Sequence, residues 1–118
     1  MVIFIKLSLI VLLLDAIFIF FSKNIFNNQI VKVQNSNLQL NNIGALLAYS
    51  FIILSLYWFI IKEKKNIKDA FILGLCIYGI YEYTNFALLK NWEFKTTIID
   101  TLWGGTLFAL STYIYNKF

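Results

Sequence analysis

Three carboxylic acids stand in this sequence where an apolar chain has little use for them. Asp15, Glu82 and Asp100 each fall within a long apolar run. A charged side chain at the centre of a membrane span costs roughly 3 kcal/mol by insertion scales. Such acids are expected to turn away from lipid toward a shared polar pocket, where their natural chemistry is to hold a proton or a small cation. Helical spacing gathers more polar groups near them. Tyr78 lies four residues before Glu82, Asn85 three after it, and Tyr81 four before Asn85, with Thr84 between. Trp103 follows Asp100 by three residues. Residues at these intervals share a helix face. Tyr49, on a separate apolar run, reaches a comparable depth. The competing role for the same groups is polar glue, in which carboxyls bonded to Asn85, Thr84 and tyrosine hydroxyls fix helix register at about 0.6–2 kcal/mol per bond. Lys90 and Lys95 are the lysines nearest in sequence, and both are better placed in the headgroup zone.

The elements that must carry these residues follow from composition. Of 118 residues, 60% are hydrophobic, 19% aromatic and 14% charged, and mean hydropathy is +0.74. A soluble domain runs nearer half apolar and a quarter charged, and a chain this short cannot hide the surplus inside itself. A soluble monomer, a disordered chain and a nucleic-acid module are all poor fits. Four spans are expected, at about 2–21, 43–61, 69–89 and 97–115, each roughly 30 Å long and so the thickness of a hydrocarbon core. The expected fold is all-α, a single membrane domain forming an integral four-helix bundle. A signal peptide is the rival for the first run, but the run is too long, Asp15 interrupts it and no small-residue cleavage site follows.

In an up-down bundle the three acids lie at one depth, roughly 5–10 Å below the same interface. The connection 22–42 is rich in Asn and Gln, yet Phe26, Ile30, Val33, Asn37 and Leu40 repeat at helical spacing. It is expected to hold an interfacial amphipathic helix ending at an Asn35-Ser36-Asn37 turn, with a short strand over 29–34 as the alternative. Ten lysines set the orientation. Lys62, Lys64, Lys65 and Lys68 crowd the second link, and Lys6 and Lys117 join their side. Lys23, Lys32, Lys90 and Lys95 oppose them. That balance places both termini on the cytoplasmic side. Trp58 and Trp92 suit the interfacial belts.

Hydrolytic and metal chemistry find little support. The chain has no His, no Arg and one cysteine, Cys76, inside an apolar run where a thiol is a packing residue. No phosphate-cradling loop, metal-ligand spacing or nucleophile with a base is present. The sequence therefore assigns no catalytic residue, no cofactor and no metal. Gly104-Gly105 and Gly74 with Gly79 are expected to let helices approach closely.

Tyr81-Glu82-Tyr83-Thr84-Asn85, then Ala87-Leu88-Leu89-Lys90-Asn91-Trp92, then Asp100-Thr101-Leu102-Trp103-Gly104 resembles an uncharacterised family of small predicted membrane proteins. That family is known from bacteria and large DNA viruses as a domain of unknown function. Its pattern reads Tyr-Asp-Leu-Thr-Asn, a Trp in the following link, then Asp-x-x-Trp-Gly. Gly44-Ala45-Leu46-Leu47-Ala48-Tyr49 resembles the start of the family's second span, and Asp15 matches an acid in its first. The similarity covers nearly the whole chain and is most specific over 81–104. Glu82 stands where the family usually has Asp, Tyr83 where it has Leu and Phe18 where a Trp often follows the first acid; a proline expected after span two is absent. The longer Glu82 side chain keeps the acid but moves it, which matters more for strict metal geometry than for proton chemistry. The resemblance implies a four-span protein and supplies no activity.

The expected function is that of a non-enzymatic membrane component that handles protons, small cations or a small solute through the pocket. Four spans enclose little room, so transport implies a homo-oligomer. The alternative is a structural or assembly protein whose acids lock helices or meet a partner helix. An intramembrane acid-catalysed enzyme using Glu82 and Asp100 is a distant third, because no base supports it. The expected partners are the lipid bilayer, further copies of the chain, and a proton or small cation, with no nucleic acid.

Overall fold

The computed structural model describes all 118 residues as four helices with no strand. Helix α1 runs from Val2 to Gln34 and α2 from Asn42 to Leu56, continued by a π-helical stretch over Tyr57–Ile61. Helices α3 (Ile67–Leu88) and α4 (Phe94–Lys117) complete the chain. Asparagine supplies the punctuation that glycine and proline usually give. Asn41 Oδ1 accepts from Gly44 N at 2.9 Å to cap α2, and Asn66 Oδ1 accepts from Asp69 N at 2.8 Å to cap α3. Asn35 ends α1 in the left-handed region, at φ 61°, which asparagine tolerates better than most residues.

Helix α1 continues unbroken past the expected end of the first span. The helical segment anticipated after Ser22 is present, but as the last third of α1 rather than as a separate helix, and the strand alternative is not taken. No Gly or Pro stops the helix, and its buried stripe continues: Asp15, Ser22 and Gln29 are buried at steps of seven residues. That stripe is polar, and the apolar repeat of Phe26, Ile30 and Val33 runs half-buried beside it. Beyond Gln34 the chain returns as an extended link to Asn41.

Three helices are long and apolar enough to cross a membrane: α1, α2 with its π-helical extension, and α3. Their outer faces agree, with Leu9, Leu13, Phe51, Phe59, Ile72 and Ile80 all exposed. Helix α4, expected as a fourth span, is long enough but less apolar than the other three. The reason lies in its packing. Gly104, Gly105, Leu107, Phe108, Ser111 and Thr112 are buried along α4, so protein rather than lipid surrounds much of it. Helices α3 and α4 lie backbone against backbone. A Cβ on Gly74 would strike the Gly104 carbonyl, and one on Gly104 would strike the Tyr78 ring.

The bundle interior divides into two halves. Around the ends of α1 and α4 where Lys6 Nζ donates to the Tyr115 carbonyl at 2.9 Å, the core is apolar: Leu7, Val11, Leu56, Ile60, Ala70, Leu107 and Phe108. In the other half the buried residues are Asp15, Ser22, Gln29, Glu82, Thr96 and Thr97, with Trp92 among them.

Candidate functional site

The polar half is organised by two carboxyl groups in different circumstances. Asp15, midway along α1, accepts at both oxygens. Trp103 Nε1 on α4 donates to Oδ1 at 2.8 Å, and the Tyr49 hydroxyl on α2 donates to Oδ2. The Trp103 indole is held flat against the Phe18 ring, with centroids 4.5 Å apart and planes 3° from parallel. Asp15 thereby joins three helices.

Glu82 on α3 is 1% exposed and accepts one bond, from Trp92 Nε1 at 3.1 Å. Its carboxyl lies within hydrogen-bonding reach of that of Asp100 on α4. No N–H or O–H of the protein donates to the second Glu82 oxygen or to Asp100. Trp92 is 7% exposed and sits in the short link between α3 and α4. It is therefore an interior lid on Glu82 rather than a member of an interfacial belt.

The far end of α1 holds that link in place. The Gln29 side chain is fully buried and uses both ends of its amide: Nε2 donates to the Asn91 carbonyl at 3.0 Å, and Oε1 accepts from Glu93 N at 2.8 Å. Asn91 Nδ2 donates back to the Lys32 carbonyl at 3.3 Å, and Lys32 pairs with Glu93 at 2.7 Å. Asn91 stands at φ 68°, so the link turns sharply just before the tryptophan. Gln29 was not among the residues singled out from sequence, and Trp92 was singled out only as an interfacial residue and as part of the family pattern. The step of seven from Asp15 through Ser22 to Gln29 is the signal that could have found the first.

Asp15, Glu82 and Asp100 line one cleft of about 770 Å³ between the latter half of α1, the link to α2, and α3 with α4. Tyr78 and Tyr81 line it too. Tyr49 and Trp103 reach the site through their bonds to Asp15. Thr84 is exposed and Asn85 half-buried, and neither lines the cleft. On a helix, the face through Tyr78 and Glu82 carries Asn85 only at its flank, while Thr84 points outward. The lysine on the cleft wall is Lys23 of α1, not Lys90 or Lys95. The unbroken α1 carries Lys23 one residue beyond the buried Ser22, a position that a chain break at residue 22 would have left in a loop. No three acids stand close enough together to hold a metal ion.

No curated protein and no solved structure matches the chain. A family model described as a predicted membrane protein of unknown function, DUF2177, matches residues 1–115. With three membrane-length apolar helices, lipid-facing apolar surfaces and a match over almost its entire length, the chain is a membrane protein and belongs to the DUF2177 family.

Proposed function

We propose that this chain is a non-enzymatic membrane component that handles protons, small cations or a small solute through the Glu82–Asp100 pocket. The observation that carries the reading is the unfilled bonding of that pair. Two carboxyl groups within bonding reach meet favourably only with a proton between them, because an ionised carboxylate is an acceptor alone. A buried acid with a spare oxygen facing a cleft can release that proton to water there, hold a passing cation in its place, and reverse the exchange. Intramembrane acids are functional hypotheses by default. Lys62, Lys64, Lys65 and Lys68, with Lys6 and Lys117, favour a cytoplasmic position for both termini. Four helices enclose little room, so passage across the bilayer calls for two or more copies.

Liposome flux tests the reading. Protein reconstituted at known orientation should carry a proton or cation current that Glu82→Gln and Asp100→Asn each reduce by about tenfold or more. The absence of flux, with both variants inserting and assembling normally, would remove its basis. A reporter fused after Phe118 that reads the outer side would reverse the orientation.

The assembly reading has its own support at Asp15, whose two oxygens are filled by donors from two other helices. For that residue the role of a helix tie is the better description.

A further inference from the structure

The cleft beside Glu82 is far larger than a bare ion requires. A divalent ion is held by about six to eight oxygens at roughly 2.3–2.6 Å, whereas no three acids here converge that closely. A volume of about 770 Å³ falls instead in the range of pockets that bury small organic molecules, roughly 300–1,000 Å³. Its walls are aromatic as well as acidic. Phe18 and Phe26 come from α1, Tyr78 and Tyr81 from α3, and Trp92 from the α3–α4 link. Rings of this kind attract a cation over their faces, with an effect that grows as water is excluded. Charge points the same way, since three acids share the cleft with a single lysine, Lys23. Glu82 adds the specific demand. It is 1% exposed, lies on the cleft wall, and has a donor at only one oxygen.

Resting on the pocket reading above, we infer that the cleft binds a bulky organic cation, of the quaternary ammonium or phosphonium class, with its charge against Glu82 and Asp100 and its substituents among Phe26, Tyr81 and Trp92. The cleft opens beside the link between α1 and α2, where Leu38 and Leu40 contribute apolar surface. An amphiphilic cation concentrated at the membrane interface meets that opening directly.

Tetraphenylphosphonium and tetraphenylborate are matched probes, alike in shape and opposite in charge. Titrated into the purified full chain in neutral detergent, the phosphonium should bind saturably and change tryptophan fluorescence, and Trp92→Phe should remove most of that change. The borate should bind at least about tenfold more weakly, a gap of roughly 1.4 kcal/mol. Glu82→Gln should weaken phosphonium binding by about tenfold or more. Tyr81→Ala, at an exposed position that does not threaten folding, should weaken it several-fold, and Lys23→Gln should strengthen it. Equal binding of the two probes, or phosphonium binding indifferent to Glu82→Gln and Tyr81→Ala, would overturn the inference. Glu82-dependent proton or sodium flux in liposomes without phosphonium binding would overturn it while leaving the pocket reading intact. Loss of both would sink the two together.

Discussion

Asp15 and Glu82 are both acids on long apolar helices, yet the structure gives them opposite surroundings. Asp15 is saturated: an indole N–H and a phenol O–H from two other helices fill its oxygens. Glu82 is more deeply buried and less satisfied, with one indole at one oxygen and a second carboxyl facing the pair. A filled acid is a fastener, since moving it breaks bonds on three helices at once. A half-filled acid costs stability to keep, and its spare oxygen is free to meet a partner in the cleft. The difference comes from donors, not from depth or from the acids themselves.

Substitution separates the two. Asp15→Ala should cost about 2–4 kcal/mol, because it removes two hydrogen bonds and strands two half-buried donors. Reversible unfolding of the detergent-solubilised chain would read this. Glu82→Gln should stay within about 1 kcal/mol of the parent in the same assay, since an amide oxygen still accepts from Trp92, while cutting flux about tenfold or more. Equal destabilisation by the two would erase the contrast. Gln29→Leu should come next, at about 1–2 kcal/mol, and the loss should be local. Hydrogen exchange should quicken at the amides of Trp92 and Glu93 and leave those of α2 unchanged. Tyr49→Phe and Trp103→Phe each delete one bond to Asp15 and should cost about 1 kcal/mol, with Trp103→Phe preserving the stack on Phe18. The smallest effect belongs to Lys32 and Glu93. Both are exposed, so Glu93→Gln should cost no more than about 1 kcal/mol and vanish at high salt.

The helical class and the grouping of three acids on one cleft were legible because both rest on composition and spacing. Gly74, Gly104 and Gly105 likewise read correctly as points of close approach, whereas a Cβ on Gly79 would meet Thr101 at an ordinary 3.5 Å. What escaped depended on partners distant in sequence. Nothing local to Gln29 announces that its amide will clasp Asn91 and Glu93. Trp92 has the type and position of an interfacial residue until Glu82 beneath it is seen to need a donor. Thr84 and Asn85 failed for a simpler reason: a run of polar residues goes all round a helix, and only one face meets the cleft. The first helix runs past the expected end of its span because the polar Ser22 and Gln29 extend its buried stripe instead of facing solvent.

The close packing of α3 against α4 has a consequence for how the protein is made. Helix α4 is the least apolar of the four, and Gly104 and Gly105 give a lipid tail little to hold. Such a helix partitions weakly by itself as it leaves the insertion machinery. Pressed against Gly74 and Tyr78, it shields its threonines and serines and presents α3's apolar outer face to the bilayer instead. The two are therefore expected to enter as one hairpin, which makes the five residues joining them, Trp92 among them, the pivot of biogenesis as well as the roof of the pocket.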